Sequence, residues 1–134
     1  MDINKIIKEL IKLNKKAELN GEVPISALIT KDNKIIAKAY NKVEEKQNIL
    51  NHAEIICINK ASKKLNNWRL DNCIMYVTLE PCNMCKEIIK KTRIKEINYF
   101  IKQNNNKTEN DPTYNYINND DLSYNLTNFF KNIR

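Results

Sequence analysis

The chain has 134 residues and a mass of 15.8 kDa, which fits one compact domain and is too short for two. Hydrophobic residues at 42% and charged residues at 29% exclude a disordered chain, and no apolar run approaches the ~18 residues a membrane span needs. Lys and Arg number 23 against 16 acids, a net charge of +7 that permits nucleic acid or another anionic partner.

Residues 2–19 place Ile3, Ile6, Ile7, Leu10, Ile11 and Leu13 at three- and four-residue spacings among lysines, which predicts an amphipathic helix. Asn20-Gly21 ends it, with the only glycine of the chain supplying a left-handed cap. This opening segment lacks the continuous apolar stretch of a signal peptide, so a cytoplasmic protein is expected. Its four cysteines, Cys57, Cys73, Cys82 and Cys85, then read as core, metal or reactive residues rather than disulfides.

Two β-rich runs follow, 25–30 and 34–40, joined through Lys31-Asp32-Asn33 as a hairpin. A polar loop over 41–50 leads to a helix from about 52 to 65, with Asn51 as its expected N-cap. The segment CIMYVTL (73–79) is a third strand and runs into Glu80-Pro81-Cys82, where Pro81 suits the first position of a helix reaching about Arg93. EINYFI (96–101) is a fourth strand. Residues 102–113 are polar, contain three consecutive asparagines, and read as a solvated, mobile loop. Leu122, Leu126, Phe129, Phe130 and Ile133 mark a C-terminal amphipathic helix. The order predicts a single α/β domain over 1–134, with a mixed central sheet flanked by helices.

The chemistry concentrates in two short segments. His52-Ala53-Glu54 precedes Pro81-Cys82-Asn83-Met84-Cys85, with Cys82 thirty positions after His52. Two cysteines three apart at a helix opening project from one face, and the positive helix end favours their thiolates. Together with an imidazole they make three zinc ligands. A catalytic zinc leaves its fourth position to water and lowers that water's pKa to about 7. Glu54, two residues after His52, can serve the same site only on an irregular first turn, because i and i+2 do not face each other on a regular helix.

Other readings stand beside this one. A Cys-x-x-Cys pair can be redox-active, and a structural zinc would need a fourth protein ligand from Cys57 or Cys73. Cys57 lies about 140° around the helix from His52, and Cys73 opens a central strand, so both read as packed thiols. Glu54 could instead cap the helix reciprocally with Asn51. Trp68 reads as a packed aromatic, with stacking on a base as the alternative. Lys90, Lys91, Arg93 and Lys95 form the densest basic cluster, read first as a solvated face and second as a phosphate contact.

The two segments match the H-x-E…P-C-x-x-C signature of zinc-dependent nucleobase deaminases. The chain as a whole resembles the bacterial tRNA-specific adenosine deaminases of the cytidine-deaminase-like superfamily. The resemblance rests on Glu22-Val23-Pro24-Ile25, Tyr40-Asn41, His52-Ala53-Glu54-Ile55, Asn67 with Arg69-Leu70, the run Tyr76 to Cys82 with Met84-Cys85, and Arg93-Ile94. Phe129-Phe130-Lys131 and Arg134 also fit.

It implies a cytidine-deaminase-like three-layer fold, one Zn2+ held by His52, Cys82 and Cys85, and Glu54 as proton shuttle. It further implies that Asn41 hydrogen-bonds the target nucleoside and that Val23 and Ala53 line the pocket. The reaction implied is hydrolysis of adenosine to inosine at the wobble position of tRNA, by a homodimer that binds the anticodon arm. Alternatives are a deaminase of a free nucleobase or nucleoside and a zinc-stabilised binding subunit without catalysis. The chain departs from the family pattern at Ser26, where a glycine is usual, at Asn51, and in the glycine-free stretch 102–113.

Overall fold

Successive strand residues face opposite sides of a sheet, and in the central strands of this protein both sets are buried or half-buried, so the sheet requires cover on both faces. The computed structural model describes residues 2–103 and 112–132, without the side chains of 125 and 129–132. Five strands, β1 (Ser26–Lys31), β2 (Lys34–Tyr40), β3 (Cys73–Leu79), β4 (Glu96–Ile101) and β5 (Thr113–Tyr116), lie in the order β2-β1-β3-β4-β5. β1 pairs antiparallel with both β2 and β3, whereas β3–β4 and β4–β5 are parallel.

The helices are α1 (Ile3–Leu19), α2 (Val43–Lys46), α3 (Ala53–Leu65), α4 (Asn83–Thr92) and α5 (Asp120–Asn132). On one face of the sheet, Leu28 and Phe100 pack with Ile6 and Leu10 of α1 and Leu122 of α5. On the other, Ile29, Met75, Val77 and Ile97 pack with Cys57 and Ile58 of α3 and Ile89 of α4. Ala27, Ala37 and Ala39 on the sheet share that layer with Ala53 and Ala61 of α3, and such small side chains let the helix lie close. The result is the expected three-layer arrangement around a mixed sheet. Among the described residues no helix is long and apolar enough to cross a membrane.

Local chemistry fixes the joints. The Asp2 side chain accepts from Asn4 N–H at 3.0 Å and opens α1; Gly21, at φ 74°, lets the chain turn away past Asn20. Asp32 and Asn33 both have positive φ, 51° and 61°, as a two-residue type I′ hairpin requires. Ser26 sits inside the sheet with its Oγ 2.7 Å from Asn14 Oδ1 of α1, a polar contact that accommodates a hydroxyl in a fully buried position.

Several expectations change. The loop over 41–50 contains α2. Of the segment 102–113, expected to be a mobile loop, residues 104–111 lie outside the described residues. Its last residue, Thr113, opens β5, an edge strand of four residues, at the lower limit of length at which alternation marks a strand. The final helix starts at Asp120, two residues before its first apolar position. Trp68 is not packed: it is 61% exposed, on the surface turn after α3, with the Arg69 guanidinium 5.5 Å from its ring centre. Lys90, Lys91, Arg93 and Lys95 are all exposed. The side chains of Phe129, Phe130 and Lys131, and Arg134 altogether, lie outside the described residues.

Candidate metal centre and active site

Two helix openings meet at the site. His52, not Asn51, is the N-cap of α3, with extended backbone (φ −67°, ψ 151°) and its carbonyl accepting from Ile56 N–H at 3.1 Å. Cys82 holds the same place on α4 (φ −69°, ψ 169°), its carbonyl accepting from Lys86 N–H at 2.9 Å, so Pro81 precedes the cap rather than starting the helix. Neither side chain caps its own helix, which leaves the imidazole and the thiol available to each other. α4 leaves the end of β3 beside the parallel strand β4, the end of an open α/β sheet where ligand crevices form.

His52 Nδ1 lies 3.5 Å from Cys85 Sγ and 3.9 Å from Cys82 Sγ, and all three donor atoms fall within 4.8 Å of one another. A tetrahedral zinc with Zn–N of about 2.0 Å and Zn–S of about 2.3 Å has N···S edges near 3.5 Å and an S···S edge near 3.8 Å. The two N···S distances lie within about 0.4 Å of that edge, so the triangle has the size such an ion needs. Among the described residues it is the only such group of metal-ligating side chains. Cys57 and Cys73 are fully buried elsewhere in the core, and Cys57 Sγ–H points to the Ala27 carbonyl at 3.7 Å.

Electrostatics points the same way. Burial lowers the His52 pKa and favours the neutral imidazole that ligates metals. Burial, then the adjacent Glu54 carboxylate and the Cys82 sulfur, push the Cys85 thiol far up. Such a thiol loses its proton readily only when a cation is bound beside it, which is the situation a dication creates. Burial also raises the Glu54 carboxyl, against hydrogen bonds from its own backbone and from Cys85. Glu54 is 4% exposed and stands on the first turn of α3, the irregular position that allows it to share a site with His52.

The triangle sits at a cavity of about 530 Å3. Val23, Asn41, His52, Ala53, Glu54 and Cys82 line it; Cys85 is fully buried behind them. All seven residues singled out in the sequence are thus brought to one place. Asn41 is fixed by its backbone, whose N–H donates to the Ile25 carbonyl at 2.9 Å, while its Oδ1 accepts from Val43 N–H at 3.4 Å.

A family model for MafB19-like deaminases matches residues 1–134. The chain belongs to that family.

Among its relatives, a tRNA-specific adenosine deaminase of Bacillus subtilis is 45% identical over 91 residues, covering 68% of this chain but 56% of that protein. The corresponding protein of Buchnera aphidicola is 36% identical, covering 88% of this chain and 87% of that one. A solved structure from work on A-to-I editing by tRNA:A34 deaminases superposes with a TM-score of 0.77 at 28% identity, covering 87% of this chain and all of that one. The resemblance read from the sequence and the cytidine-deaminase-like fold are both borne out.

The rest of the cavity was not assigned from sequence. Glu22, fully buried, accepts from Glu44 N–H at 3.1 Å and Glu45 N–H at 2.6 Å and so ties α2 to the cavity rim. Glu80 pairs with Lys86 at 3.1 Å and accepts from Gln103 N–H at 3.0 Å, drawing Gln103 into the opposite wall. Both acids stand in the segments that carry the family resemblance. Neither has a spacing that assigns it a partner, since each partner is 6 to 23 residues away in the chain.

Proposed function

We propose that the protein is a zinc-dependent hydrolase that converts adenosine to inosine at the wobble position of tRNA. The observation that carries this is the His52–Cys82–Cys85 triangle, with Glu54 beside it, at one end of a cavity of about 530 Å3. The similarity to tRNA-specific adenosine deaminases over most of the chain supports the choice of substrate.

His52 Nδ1 and the two sulfurs would hold one zinc, which supplies a water of pKa about 7 as nucleophile. Glu54 moves the protons. Its carboxylate takes one from the attacking water and gives it to N1 of adenine as the new C6–O bond forms. A second, taken from the new C6 hydroxyl, passes through Glu54 to the amino group as the C6–N bond breaks, the C6 oxygen becomes the carbonyl of inosine and ammonia leaves. Positioned acid–base groups of this kind contribute roughly 100- to 10,000-fold. Near-complete burial of Glu54 keeps bulk water from that proton. Val23 and Ala53 form apolar walls for the base, and Asn41, its backbone fixed, offers an amide to the nucleoside. The anticodon arm of tRNA is the macromolecular partner, the working unit is a homodimer, and the cytoplasm is where that substrate is met.

Sequencing the tRNA pool with and without the gene tests this directly. Loss of inosine at position 34 in the deleted strain supports the proposal. Unchanged inosine, together with ammonia release by the purified protein from free guanine, cytosine or nucleosides alone, would replace tRNA by a small substrate.

A further inference from the structure

Beside the cavity lies a second concavity of about 250 Å3 that the deamination chemistry does not use. Its lining is Lys42, Lys46, Lys60 and Lys63 with Asn51, Asn59 and Ile56, and it contains no acid. Two elements build it. On α3, Ile56, Asn59, Lys60 and Lys63 follow at i, i+3, i+4 and i+7, one helix face whose Ile56 borders the core and whose Asn59, Lys60 and Lys63 are exposed. Opposite them, Lys42 is the N-cap of the short helix α2 and Lys46 its last residue.

The two concavities share their walls. Along the segment that Glu22 holds in place, Asn41, Val43 and Glu44 line the cavity while Lys42 and Lys46 line the groove. His52 lines the cavity and its neighbour Asn51 the groove. The Lys42 N–H donates to the Asn51 carbonyl at 3.0 Å, closing the two rims on each other. Among the described residues Lys46 is paired with the exposed Glu45, at 3.7 Å, and Lys42 Nζ stands 4.9 Å over the Tyr40 ring. Lys60 Nζ already donates to the Lys38 carbonyl at 3.0 Å.

We infer that this groove between α2 and α3 holds backbone phosphates of an RNA whose target base occupies the adjoining cavity. The inference rests on the wobble-adenosine reading and deepens it, because a free base carries no phosphate for the groove to meet. A nucleotide strand entering the cavity must cross the shared rim. There it finds four lysines with no acid in the lining, Lys46 alone of them meeting an exposed carboxylate among the described residues, that of Glu45, and asparagine amides suited to sugar and phosphate oxygens. The groove gathers four of the chain's basic residues in one place, distinct from the exposed cluster at Lys90, Lys91 and Lys95.

The test measures binding of an anticodon stem-loop RNA with adenosine at the wobble position to the zinc-loaded full chain, carrying Glu54→Gln so that substrate is not consumed. Lys42→Gln, Lys46→Gln and Lys63→Gln are combined, with Lys90→Gln, Lys91→Gln and Lys95→Gln as a control of equal charge change. Three phosphate contacts contribute a slope of about −2 in log K against log salt, worth about 50-fold between about 1 M and about 0.15 M salt. The groove variant is expected to bind about 50-fold more weakly at the lower salt and to approach its parent at the higher, while the control stays within about twofold. An unchanged affinity and slope in the groove variant would overturn the groove and leave the tRNA reading standing. Equal weakening by the control variant would reduce the effect to net charge and also overturn it. No RNA binding by the parent protein would remove the substrate reading and the groove with it.

Discussion

Replacing Glu22 tests whether the cavity rim is held as described. Glu22 is fully buried, and its two oxygens accept from Glu44 N–H at 3.1 Å and Glu45 N–H at 2.6 Å. Hydrogen bonds to a charged group are each worth about 1.5–3 kcal/mol net. In Glu22→Ala both amides belong to exposed residues and can turn to water, so the low end applies to each, about 3 kcal/mol together. For a chain of this length that corresponds to a melting temperature about 10 °C lower. Where α2 opens locally, the same loss appears as faster amide exchange at Glu44 and Glu45, on the order of 100-fold. Glu22→Gln keeps one acceptor oxygen and should recover about half of the loss. The assay is thermal unfolding of the zinc-loaded protein with residue-resolved hydrogen exchange. A melting temperature within about 2 °C of the parent, with unchanged exchange at both amides, would refute the reasoning.

Further outcomes follow from the same geometry. Glu54→Gln should lower kcat for ammonia release from wobble-adenosine RNA by about 100- to 10,000-fold while zinc content stays at the parent value; activity within a few-fold of the parent would remove Glu54 from proton transfer. Lys86→Ala leaves the Glu80 carboxylate, whose side chain is 7% exposed, without its cation and should destabilise the fold by about 3 kcal/mol, read by urea denaturation. Trp68→Ala removes an aromatic that is 61% exposed and should change stability by no more than about 0.5 kcal/mol in the same experiment.

Much of this was legible along the chain, for identifiable reasons. Strands β1 to β4 announce themselves through β-branched and aromatic residues, and α1 through its three- and four-residue apolar spacing. The ligand triangle was legible because only one histidine is present and because two cysteines three apart at a helix opening have few other uses. What the sequence hid was geometry that arises only after folding. His52 displaces Asn51 from the N-cap because the extended backbone there turns the imidazole toward the cysteines instead of the helix amides. β5 was hidden because its four residues, TYNY, directly follow a polar, asparagine-rich stretch and are too short a run to stand out before their parallel pairing with β4 is known. Trp68 reads as core by type, but it stands on a surface turn where Arg69 covers it in part. Glu22 and Glu80 were visible as letters, yet their bonds to Glu44, Glu45, Lys86 and Gln103 depend on the tertiary fold.

X-ray absorption at the zinc edge of the purified protein bears most directly on the site. One zinc per chain is expected, with two sulfur neighbours at about 2.3 Å, one imidazole nitrogen at about 2.0 Å, and a light-atom ligand completing four. Substoichiometric metal, or a coordination sphere without two sulfurs, would contradict the account.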